Sequence, residues 1–342
     1  MKKMEKILIR GIIIVLILAV LLAACTARPG SLRREQIPAG WMESSLEVDG
    51  LTRWYRLYVP DTLPDNPALV LYLHGGTLSM RSIARKYAGG NKEWIKLADE
   101  EGFILLAPNG VNAKTGDTYG DEQNWNDIRP DSASGQTGVD DTSFLLALLD
   151  SVSAAYQIDQ DQIFVTGASN GGMMTYRLLI EAPERFAAGA AFIANLPDPV
   201  DDIPFPDQPT PIMIANGTED PLMPWDGGVV ARDRGVVMSA EETVDWWVNA
   251  NLALPDQQES RLLPDMNPED GCQVRKDFYP ASEGGAPVLF YAVIGGGHTI
   301  PSIDHPGLEN RLTRRIFGPV CHEVEANLLA WDFFQEAEKT GR

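Results

Sequence analysis

Val165-Thr166-Gly167-Ala168-Ser169-Asn170-Gly171 places a Gly-x-Ser-x-Gly between two segments of different character. Upstream, Gln162-Ile163-Phe164-Val165 has the length and composition of a buried strand. Downstream, Met173-Met174-Tyr176-Arg177-Leu178-Leu179-Ile180 continues as a helix. A serine between strand and helix sits on a sharp turn, and flanking glycines let neighbouring backbone approach it closely. The hydroxyl is then presented to a cleft, so Ser169 is the candidate nucleophile.

Two later segments repeat the pattern of an apolar strand ending in a polar group. Ile212-Met213-Ile214-Ala215-Asn216-Gly217-Thr218 runs into Glu219-Asp220, and Phe290-Tyr291-Ala292-Val293-Ile294 runs through three glycines into His298. A serine hydroxyl is a poor nucleophile at neutral pH and needs a base, and the base needs a group to orient it. His298 is the best base, because the Gly295-Gly296-Gly297 run can carry its ring over the elbow. His305 and His322 lack such a setting, and either Glu219 or Asp220 can supply the orienting carboxylate. The order Ser, acid, His is that of an α/β-hydrolase.

The remaining pattern agrees with an α/β chain. Ser44 to Val48 and Arg53 to Val59 flank Asp49-Gly50 as an edge hairpin. Ala68 to Leu73 is continuously apolar and reads as a central parallel strand, and Phe103 to Ala107 as another. Helices are expected over Glu93 to Ala98, Asp140 to Tyr156, the elbow helix, Ala240 to Trp247 behind the capping candidate Ser239, and Val324 to Phe334. Asp140 and Asp141 read as helix caps. Such alternation gives a mostly parallel sheet with helices on both faces. Asn109 to Gly138 has neither period, and so long a loop in a compact domain is usually functional.

Backbone donors for a developing oxyanion come next. His74-Gly75-Gly76-Thr77 follows the central strand and has the composition for one donor, so the N–H of Asn170 pairs with that of Gly76 or Thr77. His74 is read as ordering its own loop. Trp125, in the long loop, and Trp225, five residues after Asp220, are candidate substrate walls or ordinary packing aromatics. Asp117, Asp121 and Glu122 lack the spacing of a calcium loop, and neither metal nor organic cofactor is expected.

The amino terminus carries Lys2, Lys3, Lys6 and Arg10, then an apolar run from Ile12 to Ala24 and Leu22-Ala23-Ala24-Cys25. The run is short for a membrane span and ends in small residues. It reads as a signal peptide (1–24) followed by a tether (25–40) and a catalytic domain (41–342). Its likeness to bacterial lipoprotein signals implies lipid on Cys25 and a membrane-anchored protein at the cell surface or in the periplasm. The net charge is −20, and losing four basic residues and one acidic one makes it −23. Nucleic acid is thereby excluded as a partner. The acidity reads as solubility, with discrimination against anionic substrates as the alternative. Cys272 and Cys321 form an even pair for an oxidising compartment and are expected to bridge, the alternative being two buried thiols.

Seven segments together carry a family resemblance: Leu73-His74-Gly75-Gly76, Ala107-Pro108-Asn109-Gly110, Asn124-Trp125-Asn126-Asp127, Val139-Asp140-Asp141, Gly167 to Met173, Asn216 to Pro221, and Gly296-Gly297-His298-Thr299. From Arg53 to Phe334 the chain resembles the exported polyhydroxybutyrate-depolymerase and feruloyl-esterase family, related to carbohydrate esterase family one. The resemblance implies an α/β-hydrolase fold with Ser169 as nucleophile, Asp220 as acid and His298 as base. Relatives often carry Trp-Pro after the His-Thr, where this chain has Ile300-Pro301, so an aromatic wall of the acyl pocket is expected to be missing. The expected activity is serine esterase action on a small ester or oligoester of hydroxyalkanoate, feruloyl or acetyl type. An acyltransferase, a serine peptidase and a non-catalytic binding lipoprotein remain as alternatives.

Overall fold

A computed structural model describes residues 37–340 except 85–91, 128, 130–131, 201–202, 233 and 304–310. The signal segment, Cys25, most of the tether and His305 lie outside the described residues. Ala39–Arg342 form one compact unit.

Ten strands make one sheet: β1 (Trp41–Val48), β2 (Leu51–Tyr58), β3 (Leu69–Leu73), β4 (Ile104–Pro108), β5 (Ile163–Ala168), β6 (Ala188–Phe192), β7 (Ile212–Gly217), β10 (Glu259–Leu262), β11 (Gln273–Tyr279) and β12 (Val288–Ile294). Their order is β1-β2-β4-β3-β5-β6-β7-β12-β11-β10. The stretch from β4 to β12 is parallel, and an antiparallel pair borders it on each side. β8 (Gly228–Val229) and β9 (Val236–Val237) form a separate two-stranded ribbon. At the β1–β2 turn Asp49 and Gly50 have φ 50° and 76°, as the two-residue hairpin between Val48 and Leu51 requires.

The unbroken apolar runs are explained by the two faces they serve. Leu69, Leu71 and Leu73 point into one core with Phe144 and Leu148 of α2 (Asp141–Tyr156), Leu178 of α3 (Asn170–Glu181) and Trp247 of α4 (Ala240–Ala250). Val70 and Tyr72 point into the other with Trp94 of α1 (Lys92–Glu101) and Trp331 and Phe334 of α6 (Ala326–Thr340). Each of the three leucines is fully buried and contributes roughly 2–3 kcal/mol.

Ser239 caps α4 as expected: its hydroxyl accepts from Glu242 N–H while the Glu242 carboxylate accepts from Ser239 N–H. Asp140 likewise caps α2 through Ser143 N–H at 2.9 Å. Asp141 departs from the expected capping role. It is buried against Arg53 at 2.5 Å and accepts from Asn126 N–H, because a carboxylate at that depth needs a cation and donors around it. The last helix begins at Ala326, two residues later than expected, and α5 (Arg311–Phe317) precedes it.

Candidate active site

The sharp turn after β5 is real in this chain. Ser169 has φ 56° and ψ −123°, its N–H donates to Phe192 O, and its C=O starts α3 by accepting from Met173 N–H. So unfavourable a conformation for a residue bearing a Cβ persists only where the surroundings enforce it. They do so by close packing. A Cβ on Gly171 would lie 2.2 Å from Leu73 O and 2.6 Å from His74 O, and one on Gly167 would lie 2.4 Å from Gly171 O. The elbow is thus pressed against the end of β3, and only glycine admits that approach.

The same packing brings the loop after β3 to the serine. A Cβ on Gly75 would sit 3.8 Å from Ser169 Cβ, and one on Gly76 would sit 3.4 Å from Asn170 Cβ. His74 orders this loop: its Nδ1–H donates to Gly75 O at 2.9 Å and its Nε2 accepts from Gly110 N–H at 3.1 Å. Complete burial pushes the ring's pKa down from 6.5 to about 4, so it stays neutral and keeps that tautomer.

Asn170 binds the long loop with its side chain. Its Oδ1 accepts from Trp125 N–H, and its Nδ2 donates to Trp125 O and, at 2.6 Å, to Asp127 Oδ2. Asp127 is buried and holds Arg129 in a two-point ion pair. The motif Asn124-Trp125-Asn126-Asp127 is therefore a clasp on the elbow. Trp125 corrects an expectation: its ring has no exposure, its Nε1–H donates to His74 O, and it packs 4.8 Å from the His74 ring. It supports the elbow from beneath and walls no cleft. Trp225 is half-buried and stacks on Phe290 at 5.9 Å.

Thr77 is the second correction. Its N–H donates to Gln123 O at 2.8 Å and lies 3.3 Å from Asn124 Oδ1, so it is already committed to the bridge between Leu78 and Gln123. Among the described residues, the N–H groups of Gly76 and Asn170 have no protein acceptor. Asn170 opens α3, where the helix dipole also favours negative charge.

Asp220 and His298 follow β7 and β12, on the same carboxyl edge of the sheet as Ser169. His298 Nδ1 meets Asp220 Oδ2 at 2.6 Å, and Asp220 Oδ1 is fixed by the N–H groups of Leu222 and Met223, each at 2.8 Å. Glu219 makes no such contact with the ring; its N–H donates to Gly296 O. The histidine loop is held by Gly297 N–H to Pro319 O and His298 N–H to Phe317 O. A disulfide between Cys272 and Cys321, with Cα atoms 5.5 Å apart, ties the segments on either side. His322 lies beyond the site and bonds Ser302 O through Nδ1. Asp121 is held by Ser79 and Arg81. Among the described residues no cluster of three or more His, Cys, Asp or Glu could hold a metal ion.

The prolyl oligopeptidase family profile matches residues 93–196, under a third of the chain. The protein named as the esterase NocK of Nocardia uniformis subsp. tsuyamanensis is 29% identical over 286 residues, covering 80% of this chain and 78% of that protein. A poly(3-hydroxybutyrate) depolymerase of Ralstonia pickettii is 33% identical over 174 residues, 48% of this chain and 33% of its own length. Feruloyl esterase B of Neurospora crassa is 32% identical over 171 residues, 49% of this chain and 51% of its own length. The chain thus spans about a third and a half of the last two. Among solved structures, the acetyl xylan esterase from Aspergillus awamori superposes with a TM-score of 0.51 at 16% identity, over 76% of this chain and 95% of that one, which establishes the fold. The chain has the α/β-hydrolase fold, and its sequence relatives include proteins named as a poly(3-hydroxybutyrate) depolymerase and a feruloyl esterase, the kind that its motifs resemble.

Proposed function

We propose that this chain is a serine esterase that cleaves carboxylic esters through an acyl-enzyme on Ser169. The observation that carries this reading is the 2.6 Å contact between His298 Nδ1 and Asp220 Oδ2 on the sheet edge where Ser169 is held at φ 56°. Asp220 keeps the proton on Nδ1, which leaves Nε2 with a lone pair to take the Ser169 proton. The serine oxygen attacks the ester carbonyl, and the N–H groups of Asn170 and Gly76 receive the negative charge on the carbonyl oxygen. The imidazolium then protonates the departing alkoxide. Water, deprotonated by the same ring, releases the acid and restores the serine.

The substrate is a small ester or oligoester of the 3-hydroxyalkanoate, feruloyl or acetyl type, with the half-buried Trp225 as one wall. The esters named for the sequence relatives support this class. The basic, apolar and small-residue order of the first 25 residues supports export and lipid attachment at Cys25. The prolyl oligopeptidase profile favours a second reading, an amide-cleaving enzyme with the same residues.

Parallel series of short esters and matching amides decide between the two. Ester turnover at least about a thousandfold above amide turnover, lost in a folded Ser169→Ala protein by about four orders of magnitude, is the expected result. A folded Ser169→Ala variant that keeps a tenth of the activity overturns the nucleophile.

A further inference from the structure

Leu78 N–H donates to Gly75 O at 3.1 Å, which closes a four-residue turn over Gly75-Gly76-Thr77-Leu78 directly after β3. Its third residue is Thr77 at φ 61°, a conformation that suits glycine and strains a branched side chain. The bonds from Thr77 N–H to Gln123 O and from Gln123 N–H to Leu78 O, at 2.8 and 2.9 Å, hold the turn in that state. A strained residue enforced beside a reacting group points to a placement that matters for function.

The residue so placed is Leu78. Its N–H and C=O are both bonded, so its backbone is fixed. A Cβ on Gly75 would lie 3.5 Å from Leu78 Cδ1 and 3.8 Å from Ser169 Cβ, so the methyl end of the leucine and the nucleophile's side chain converge over one glycine. Leu78 is nevertheless 40% exposed. A leucine left open to water beside the nucleophile offers apolar area that a bound chain can cover. Two other apolar side chains of the motifs do not offer it: Trp125 is fully buried, and Ile300, 8% exposed, belongs to the core on the α6 face of the sheet.

Strand order decides which half of an ester this leucine meets. β3 borders β5 on one side, while β12 follows β6 and β7 on the other. The turn after β3 therefore stands across Ser169 from His298. The leaving alkoxide takes its proton from His298 and departs on that side, so the group that extends toward Leu78 is the acyl chain. An acetyl methyl ends beside the serine, whereas the further carbons of a longer chain run on along the leucine.

We propose that Leu78 is the apolar wall of the acyl subsite, and that the acyl group taken there is longer than acetyl, an aliphatic or arylpropenoyl chain of at least three carbons. The inference rests on the esterase reading and narrows its acyl class. Covering one more methylene against an apolar wall is worth about threefold to fourfold in binding.

Aryl esters of a single alcohol carrying acetyl, propionyl and butyryl groups test it. In the wild type kcat/KM should rise by about tenfold from acetyl to butyryl. Leu78→Ala should flatten that rise to about twofold, and Leu78→Met, which keeps volume and apolarity, should restore it. Acetate esters of ethanol, propanol and butanol form a second series, whose profile should be the same in wild type and Leu78→Ala. A flat acyl series in the wild type, a rise that survives in folded Leu78→Ala, or a change confined to the alcohol series overturns the proposal. Alkylboronic acids read the wall without ester turnover: boron accepts a lone pair from Ser169 Oγ, the hydroxyl proton passes to His298, and the alkyl group takes the acyl position. Calorimetric titration should show propylboronic acid binding about tenfold more tightly than methylboronic acid, a preference lost in Leu78→Ala. That preference in a protein that cleaves no ester supports the wall while overturning the esterase reading. Equal affinities in a protein that does cleave esters overturn the wall and leave the esterase reading intact.

Discussion

The elbow and the acid–base shelf are held by different means, although one reaction needs both. At the elbow, Ser169 is fixed by backbone against backbone: glycines pressed on Leu73 O and His74 O, the Asn170 amide clasping Trp125, and a neutral buried His74 bracing the loop before it. The shelf carrying Asp220 and His298 is loop against loop, joined by single N–H bonds and closed by one covalent bridge. Close packing tolerates little adjustment, whereas a shelf held by a few bonds can loosen while the sheet remains intact. The shelf is therefore where this molecule should fail first.

The largest expected effect is on the shelf's chemistry. Asp220→Asn should lower kcat by about three to four orders of magnitude, because an amide presents the wrong partner to Nδ1 and favours the wrong tautomer. Glu219→Gln should leave the rate within about twofold. Steady-state kinetics on an activated ester checks both, and reversed outcomes would make Glu219 the orienting acid. Next comes the bridge. Cys272 and Cys321 are 49 residues apart in sequence, and the chain-entropy relation gives roughly 4 kcal/mol for a loop of that size. On heating, Cys272→Ser should lose activity at a lower temperature than it loses helical dichroism, since the shelf loosens before the sheet melts. Coincident transitions would remove the distinction between the two regions.

A smaller effect probes the elbow. His74 has its pKa lowered by burial to about 4 from an unfolded value of 6.5. Above 6.5 the ring is neutral in both states. As the pH falls below 6.5 the unfolded chain takes up a proton that the native ring refuses, so stability declines until about pH 4 and then levels. The total is about 3 kcal/mol. Urea melts at pH 7, 5.5 and 4 should show that slope in the wild type and a shallower one in His74→Gln. Equal slopes would mean that the ring is protonated in the native state.

What was legible in the sequence is what depends on local pattern. A continuously apolar run bounded by turn residues marks a strand buried on both faces, so β3, β5, β7 and β12 were found, and with them the positions of Ser169, Asp220 and His298 at their ends. β11 was missed because Gln273-Val274-Arg275-Lys276-Asp277-Phe278-Tyr279 buries only Val274, Asp277 and Tyr279, which breaks the two-residue period. Trp125 is ambiguous in the sequence for another reason. An aromatic in a polar loop has the same composition whether it faces a cleft or is drawn under one, and the deciding partners, His74 O and Asn170, lie some fifty residues away. Thr77 likewise gives no local sign that its N–H is taken by Gln123.

The aromatic seam under the sheet bears on how the chain is made. Phe164 of β5 stacks on Phe334 at 4.7 Å, Phe103 packs on Trp331 at 4.4 Å, and Trp94 lies 6.2 Å from Phe334. A ribosome releases Trp94 some 240 residues before Phe334, and until α6 emerges the seam lacks the Trp331 and Phe334 rings that close it. Folding of this seam therefore waits for α6 to emerge. Until then a growing chain exposes a broad apolar surface to any holding chaperone.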